Sequence, residues 1–418
     1  MSLTKGTYHF CSCQGIGQHL LIDAVAEKTG LSRILEDSFP GRSREILSVI
    51  TYYLSRRDTD VNGMECYCYD NYTGINYVPD VTKIISDEVL GHERIRDFLC
   101  LWLKYRLSLS DSPTVEVDFD STNVNTSSKG VLSAERGKPK VDEDLPQVNF
   151  SYLVDRKTGV PMHFDMYYGS VVDMEHCKNY IEKVKAIKPN ADFFVCLDRW
   201  YYTSSIFSML NGTYDFAVME KDGVMMNSFI QENPVPIMTK SANKIRESVY
   251  DISFKGKPFS GWTGADLSIY LYFDSLKNLQ ASVTEMDKLE KVACQIVGKK
   301  DWKGSIQETW GKSIDITIDK RTKVIKKAVV NHEEADRRLS KSGYFYIVSD
   351  REMTPSEMYA FYRHRDVVEK DFRLSRSEED LSKTYAQSDI CFEAKTFLGF
   401  LCSVIRSDIL DTMAPYFR

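Results

Sequence analysis

Three carboxylates, Asp120, Asp198 and Glu369, stand where residue type and spacing could do chemistry. If they share a site they repel: at an effective dielectric near 20, two carboxylates about 4 Å apart cost on the order of 4 kcal/mol, so three together demand cations. Carboxylate oxygen with water selects hard divalent ions, Mg²⁺ or Mn²⁺. A pair of such ions can activate a nucleophile and stabilise a leaving oxygen in an in-line phosphoryl displacement. Around Glu369, the residues Tyr362, Arg365 and Arg376 stand at steps of three, four and seven, which superposes aromatic, cation, carboxylate and cation on one side of a helix. Spacing alone fits a solvated stripe with internal ion pairs just as well. Asp118, two residues before Asp120 and on the same strand face, could replace it or support it.

Each acid needs an element to place it. Val115, Val117 and Phe119 alternate with Glu116, Asp118 and Asp120, the period of a strand that ends at Asp120. The apolar run 193–197 suits a strand buried on both faces, with Asp198 at its carboxyl end, where chemistry gathers in open α/β sheets. Thr354, Pro355 and Glu357 form a capping box that starts a helix, and Met358, Phe361, Arg365, Val368 and Phe372 carry it on at helical period toward Arg376. Between these lie expected strands at 147–154 and 161–168 joined by a turn at 155–159, helices at 173–187 and 204–210, and a strand at 214–219. The order is β-β-β-α-β-α-β. Upstream, the pattern predicts two short helices around Gly30 over 18–39, then helices at 43–56 and 81–105. The stretch 24–32 loosely resembles the first half of a helix-turn-helix, although one Gly between two apolar patterns is also ordinary packing. The segment 221–342 shows few helical patterns and strand-like runs at 267–273 and 314–318, so it reads as a β-rich insertion. A strand at 343–349 and a last helix at 393–409 close the chain.

Hydrophobic residues at 43% and charged residues at 27% of 418 positions describe a soluble globular protein with room for two or three cores, and they exclude disorder. The longest apolar run, 396–405, is too short to span a bilayer, and the N-terminus lacks a signal pattern, so the expected place is the cytoplasm and no membrane partner is implied. Ten cysteines without a C-x-x-C spacing read as reduced thiols. A net charge of -6 argues against nonspecific DNA binding by the whole surface. A local basic patch between Lys299 and Lys341, including Lys320, Arg321, Lys326 and Lys327, is where a polyanion could land.

The segments around the acids resemble those of DDE transposases of bacterial insertion sequences, in the branch whose last motif is Tyr-x-x-Arg-x-x-x-Glu-x6-Lys. Here that motif is Tyr362, Arg365, Glu369 and Arg376, with Arg at the Lys position. Asp120-Ser121-Thr122 matches the first motif and Asp198-Arg199, within FVCLDRWYY, the second; the connecting text at 144–170 is similar too, and the likeness covers roughly 115–409. The resemblance implies an α/β fold with a ribonuclease-H-like catalytic core and a β-rich insertion, preceded by a small helical N-terminal domain. Together with the helical pattern upstream, it divides the chain into 1–112, with possible DNA-end binding, 113–220 and 343–418 as the two parts of the core, and 221–342 as the insertion. It implies that Asp120, Asp198 and Glu369 bind two Mg²⁺ ions, with Mn²⁺ possible, to cut double-stranded DNA at the element's ends, after which the freed 3′-hydroxyl attacks target DNA. Tyr362, Arg365 and Arg376 would hold phosphates, Arg doing so with a forked contact. A homodimer in synapsis and a bacterial cytoplasmic, nucleoid-associated location follow from the same likeness. Trp302 and Trp310 could stack a flipped base or fill a core. For this branch the chain is short at both ends, as a fragment or a decayed copy would be. The alternatives are a metal-dependent nuclease that cuts without joining, and a catalytically inactive DNA-binding descendant.

Overall fold

A computed structural model describes residues 13–56, 61–110, 112–137, 145–190, 192–220, 224–301, 304–365, 386–413 and 416. The fold is mixed α/β, with both parallel and antiparallel strand pairs. It divides into two compact units: Met1–Tyr201 with Met209–Phe216 and Tyr362–Arg418, and Tyr202–Ser208 with Ala217–Phe361.

The first unit holds β1 (Thr114–Asn125), β2 (Gln147–Asp155), β3 (Pro161–Tyr168) and β4 (Asp192–Leu197) in the order β3-β2-β1-β4. β2 is antiparallel to both neighbours, whereas β1 and β4 run parallel. The turn after β2 closes with the Gly159 amide on the Asp155 carbonyl at 2.8 Å, and Gly159 takes a φ of 67° that a side chain would resist. β1 continues past Asp120 because residues up to Asn125 keep pairing with β2. That extension is polar yet buried, and the Asn123 side chain donates to that of Gln147.

One core joins the helical region to these strands. Phe39, Phe98 and Trp102 from the helical region pack with Phe150 of β2, Phe164 of β3 and Phe397 of the helix Asp389–Met413. The Phe397 ring lies 5.7 Å from that of Phe39 and 5.0 Å from that of Phe98, and Trp102 Nε1 donates to the Pro161 carbonyl over 2.9 Å. Burying each such ring contributes roughly 2–3 kcal/mol, so the helices belong to the same stabilised body as the sheet. The helices Gly17–Lys28 and Leu31–Ser38 meet at Gly30, whose φ of 77° and contact with Tyr105 leave no room for a Cβ. The single helix expected over 81–105 is three: Val81–Ile84, Asp87–Leu90 and His92–Ser108. Extended backbone at Ser86 and Gly91 breaks it. A further helix, Met64–Asp70, lies outside the sequence expectation; it is only seven residues long and buries Met64, Tyr67 and Cys68.

In the second unit, β5 (Asp215–Glu220), β10 (Tyr344–Ser349), β7 (Leu267–Asp274) and β6 (Val249–Gly256) follow one another in that order, and the pairs β5/β10, β10/β7 and β7/β6 are antiparallel. β8 (Ile314–Ile318) and β9 (Ile325–Val330) make a separate two-stranded sheet. The expectation of a β-rich insertion over 221–342 is corrected here. The segment also carries helices Val224–Glu232, Ser275–Ile296, Ser305–Trp310 and His332–Leu339. The longest of them buries only Leu289, Ala293 and Ile296 in its second half, while Leu276, Leu279 and Val283 face solvent. Its start is set instead by Asp274, whose carboxylate accepts from the amides of Leu276 at 3.1 Å and Lys277 at 3.2 Å.

Candidate active site

Strand register brings the first two expected acids together. Phe119 of β1 is paired with Leu197 of parallel β4, and the next residue on each chain is Asp120 or Asp198. Neighbouring strands lie about 4.8 Å apart, so the two carboxylates leave the sheet side by side. Each side chain is 23% exposed, open enough to meet a substrate. Asp120 Oδ1 accepts from the Ser121 amide at 2.9 Å and Asp198 Oδ1 from the Arg199 amide at 2.5 Å.

The helix at 355–365 brings a cation to the pair. Its capping box forms as expected: the Glu357 carboxylate accepts from the Thr354 amide at 2.9 Å, and Thr354 Oγ1 accepts from the Glu357 amide at 3.3 Å. One face then buries Met358, Phe361, Tyr362 and Arg365. Arg365 sets Nη2 3.5 Å from Asp120 Oδ1 and Nη1 3.4 Å from Asp198 Oδ1. Burial of Arg365 works against its charge, but Tyr362, Asp120 and Asp198 outweigh it and hold its pKa well above the ordinary value. The guanidinium therefore stays charged and offsets the repulsion between the carboxylates. Tyr362, 8% exposed, donates its hydroxyl to the Leu197 carbonyl at 3.2 Å.

Asp118 is placed differently from Asp120. It is 1% exposed and bonded to Arg156, itself 3% exposed. Burial pushes its pKa up, against the opposing pull of Arg156 and Arg365. Of the two, Asp120 is the residue that stands beside Asp198.

Two neighbouring carboxylates, Asp120 within β1 and Asp198 just past the end of β4, are hard oxygen donors of the kind that Mg²⁺ or Mn²⁺ takes. Among the described residues no group of three His, Cys, Asp or Glu could hold a metal ion. Glu369, Arg376 and Trp302 lie outside the described residues. In the second unit Trp310 is half-buried, with the Lys288 ammonium 5.8 Å from its ring. The basic stretch is partly neutralised where it stands: Lys326 pairs with Asp319, Arg337 with Glu334, and Arg338 with Glu334 and Glu285. Lys320, Arg321 and Lys323 are exposed at the β8–β9 turn.

Sequence reasoning missed two features near the pair. Trp200, two residues after Asp198, is 70% exposed, and the Arg199 guanidinium lies 5.4 Å from its ring. On the opposite face of β1, Ser121, Asp173, Tyr167 and Tyr201 form a hydrogen-bonded chain. The alternation that puts Ser121 opposite Asp120 was the available signal for it.

No protein-family model and no curated protein sequence matches the chain. Among solved structures it is similar to a piggyBac transposase in a synaptic complex with hairpin DNA, with a TM-score of 0.38 and 8% identity over 78% of this chain. The match covers 53% of that protein, so the chain spans about half its length. No helix among the described residues is long and apolar enough to cross a membrane.

Proposed function

We propose that this chain is a DDE transposase that cuts the ends of a mobile DNA element and joins them to target DNA. The observation that carries the reading is the β1/β4 register, which sets Asp120 beside Asp198 with Arg365 against both. Asp120, Asp198 and Glu369 would hold the divalent ions, Mg²⁺ or Mn²⁺, and when bound these supply an activated water and a Lewis acid for the leaving oxygen. Arg365 offsets the negative charge of the pair and, with Tyr362 and Arg376, is assigned to the phosphates beside the scissile bond. Element ends and target are double-stranded DNA, bound in a synaptic homodimer in the bacterial cytoplasm.

The test uses DNA carrying the inverted repeats that flank the coding segment, incubated with Mg²⁺ or Mn²⁺ and either wild type, Asp198→Ala or Glu369→Ala. Wild type is expected to nick at the repeat ends and yield joined strand-transfer products, and both variants to bind without cutting. Equal cleavage by all three proteins would sink the assignment. Cutting without joined products makes the protein a nuclease, and binding without cutting by wild type makes it an inactive descendant.

A further inference from the structure

Behind the carboxylates, on the other face of β1, one chain of polar side chains links the middle of β1 to the turn that follows β4. The Tyr201 hydroxyl donates to Ser121 Oγ over 2.9 Å, Ser121 Oγ donates to Asp173 Oδ2 over 2.8 Å, and the Tyr167 hydroxyl donates to Asp173 Oδ1 over 2.7 Å. Ser121 directly follows Asp120, and Tyr201 comes three residues after Asp198. Both aspartate-bearing segments are therefore bonded, through Ser121, to the first residue of the helix Asp173–Ile187.

Three of the four members of this hydrogen-bonded chain are enclosed: Tyr201 is 1%, Ser121 7% and Tyr167 8% exposed, while Asp173 is half-buried, so losing the Tyr201–Ser121 bond strands a polar atom away from water. Burial pushes both tyrosine hydroxyls well above the ordinary phenol range, and for Tyr167 the charge of Asp173 adds to it. Both stay protonated donors. The backbone reinforces the link, because the Tyr201 amide donates to the Asp198 carbonyl at 2.9 Å. A shift of β1 against β4 at the level of the aspartates would stretch a buried bond.

We propose that Tyr201, acting through Ser121 and Asp173, is a positioning residue that holds Asp120 and Asp198 at the separation at which both bind a divalent cation. This rests on the two-carboxylate site proposed above. Supporting partners of metal ligands commonly set affinity by 10–100-fold when removed.

Tyr180 is the matched control. Like Tyr201 it is buried and packs on Phe119, at 5.3 Å against 5.5 Å between ring centroids. Its hydroxyl instead faces His163 Nδ1 at 2.9 Å. Mn²⁺ binding to the full chain is measured by the paramagnetic signal of the free ion, beside a thermal melt, for wild type, Tyr201→Phe, Ser121→Ala, Tyr180→Phe and Asp198→Asn. Asp198→Asn is expected to abolish binding, and Tyr201→Phe and Ser121→Ala to weaken it about ten-fold. Tyr180→Phe should melt as early as Tyr201→Phe yet bind Mn²⁺ as wild type does. Wild-type affinity in Tyr201→Phe beside a null Asp198→Asn overturns the positioning role alone. An equal loss in Tyr180→Phe overturns it too, by reducing it to packing. Wild-type affinity in Asp198→Asn removes the carboxylate site itself.

Discussion

Tyr362 donates its hydroxyl to the carbonyl of Leu197 over 3.2 Å, tying the helix at 355–365 to the residue that delivers Asp198. The bond is buried, so Tyr362→Phe leaves an acceptor short of a donor and should cost about 1 kcal/mol. Tyr362→Ala also opens a cavity and should cost roughly 3–5 kcal/mol. Urea unfolding of both variants measures this; a wild-type midpoint in Tyr362→Phe would show that the contact contributes nothing.

Arg365 is coupled to two carboxylates at once, so its removal should be felt through them. Arg365→Met leaves Asp120 and Asp198 side by side without their cation, and at an effective dielectric near 20 their repulsion is on the order of 3–4 kcal/mol. Adding Asp120→Asn removes one of the two charges, and the double variant should recover most of that loss. The expected coupling, about 2 kcal/mol or more, is read from a double-mutant cycle in urea. Additive effects would mean that the guanidinium does not hold the pair.

The ends of the site were legible in the sequence and its support was not. Asp120 and Asp198 stood out because an alternating run and an apolar run each lead to an acid; the apolar strand does stop just before Asp198, whereas the first strand runs on past Asp120 to Asn125. The Thr354–Glu357 box declared its helix because capping depends on two residues only three positions apart. What brings Asp120 to Asp198 is the Phe119–Leu197 register, a pairing between strands nearly eighty residues apart that no local pattern encodes. The same holds for Ser121 and Tyr201, each an ordinary polar residue until folding apposes them. The helix Ser275–Ile296 was legible and passed over: Leu276, Leu279, Val283, Met286, Leu289, Ala293 and Ile296 recur at helical period, although only the last three are buried.

His163 and His176 give the first unit a defined acid limit. His163 Nδ1 meets the Tyr180 hydroxyl at 2.9 Å, and His176 Nε2 meets Ser151 Oγ at 2.8 Å while its ring stacks on Tyr167 at 3.7 Å. Burial lowers the pKa of each to about 4 from the ordinary 6.5. The unfolded chain therefore takes up two protons that the folded one refuses as pH falls below about 6.5. The stability they contribute is whole above that point and is lost progressively as pH drops toward about 4, amounting to about 3 kcal/mol per histidine over the full window. By about pH 5, some 2 kcal/mol for each, or about 4 kcal/mol together, should be gone. His176→Gln keeps a side chain that can hydrogen-bond Ser151 and removes the titration. Between about pH 7.5 and pH 5 it should lose about 2 kcal/mol less than wild type in urea unfolding. A pH slope identical to that of wild type would show that His176 is not one of the groups refusing a proton in the folded state, and that its burial does not set the acid limit.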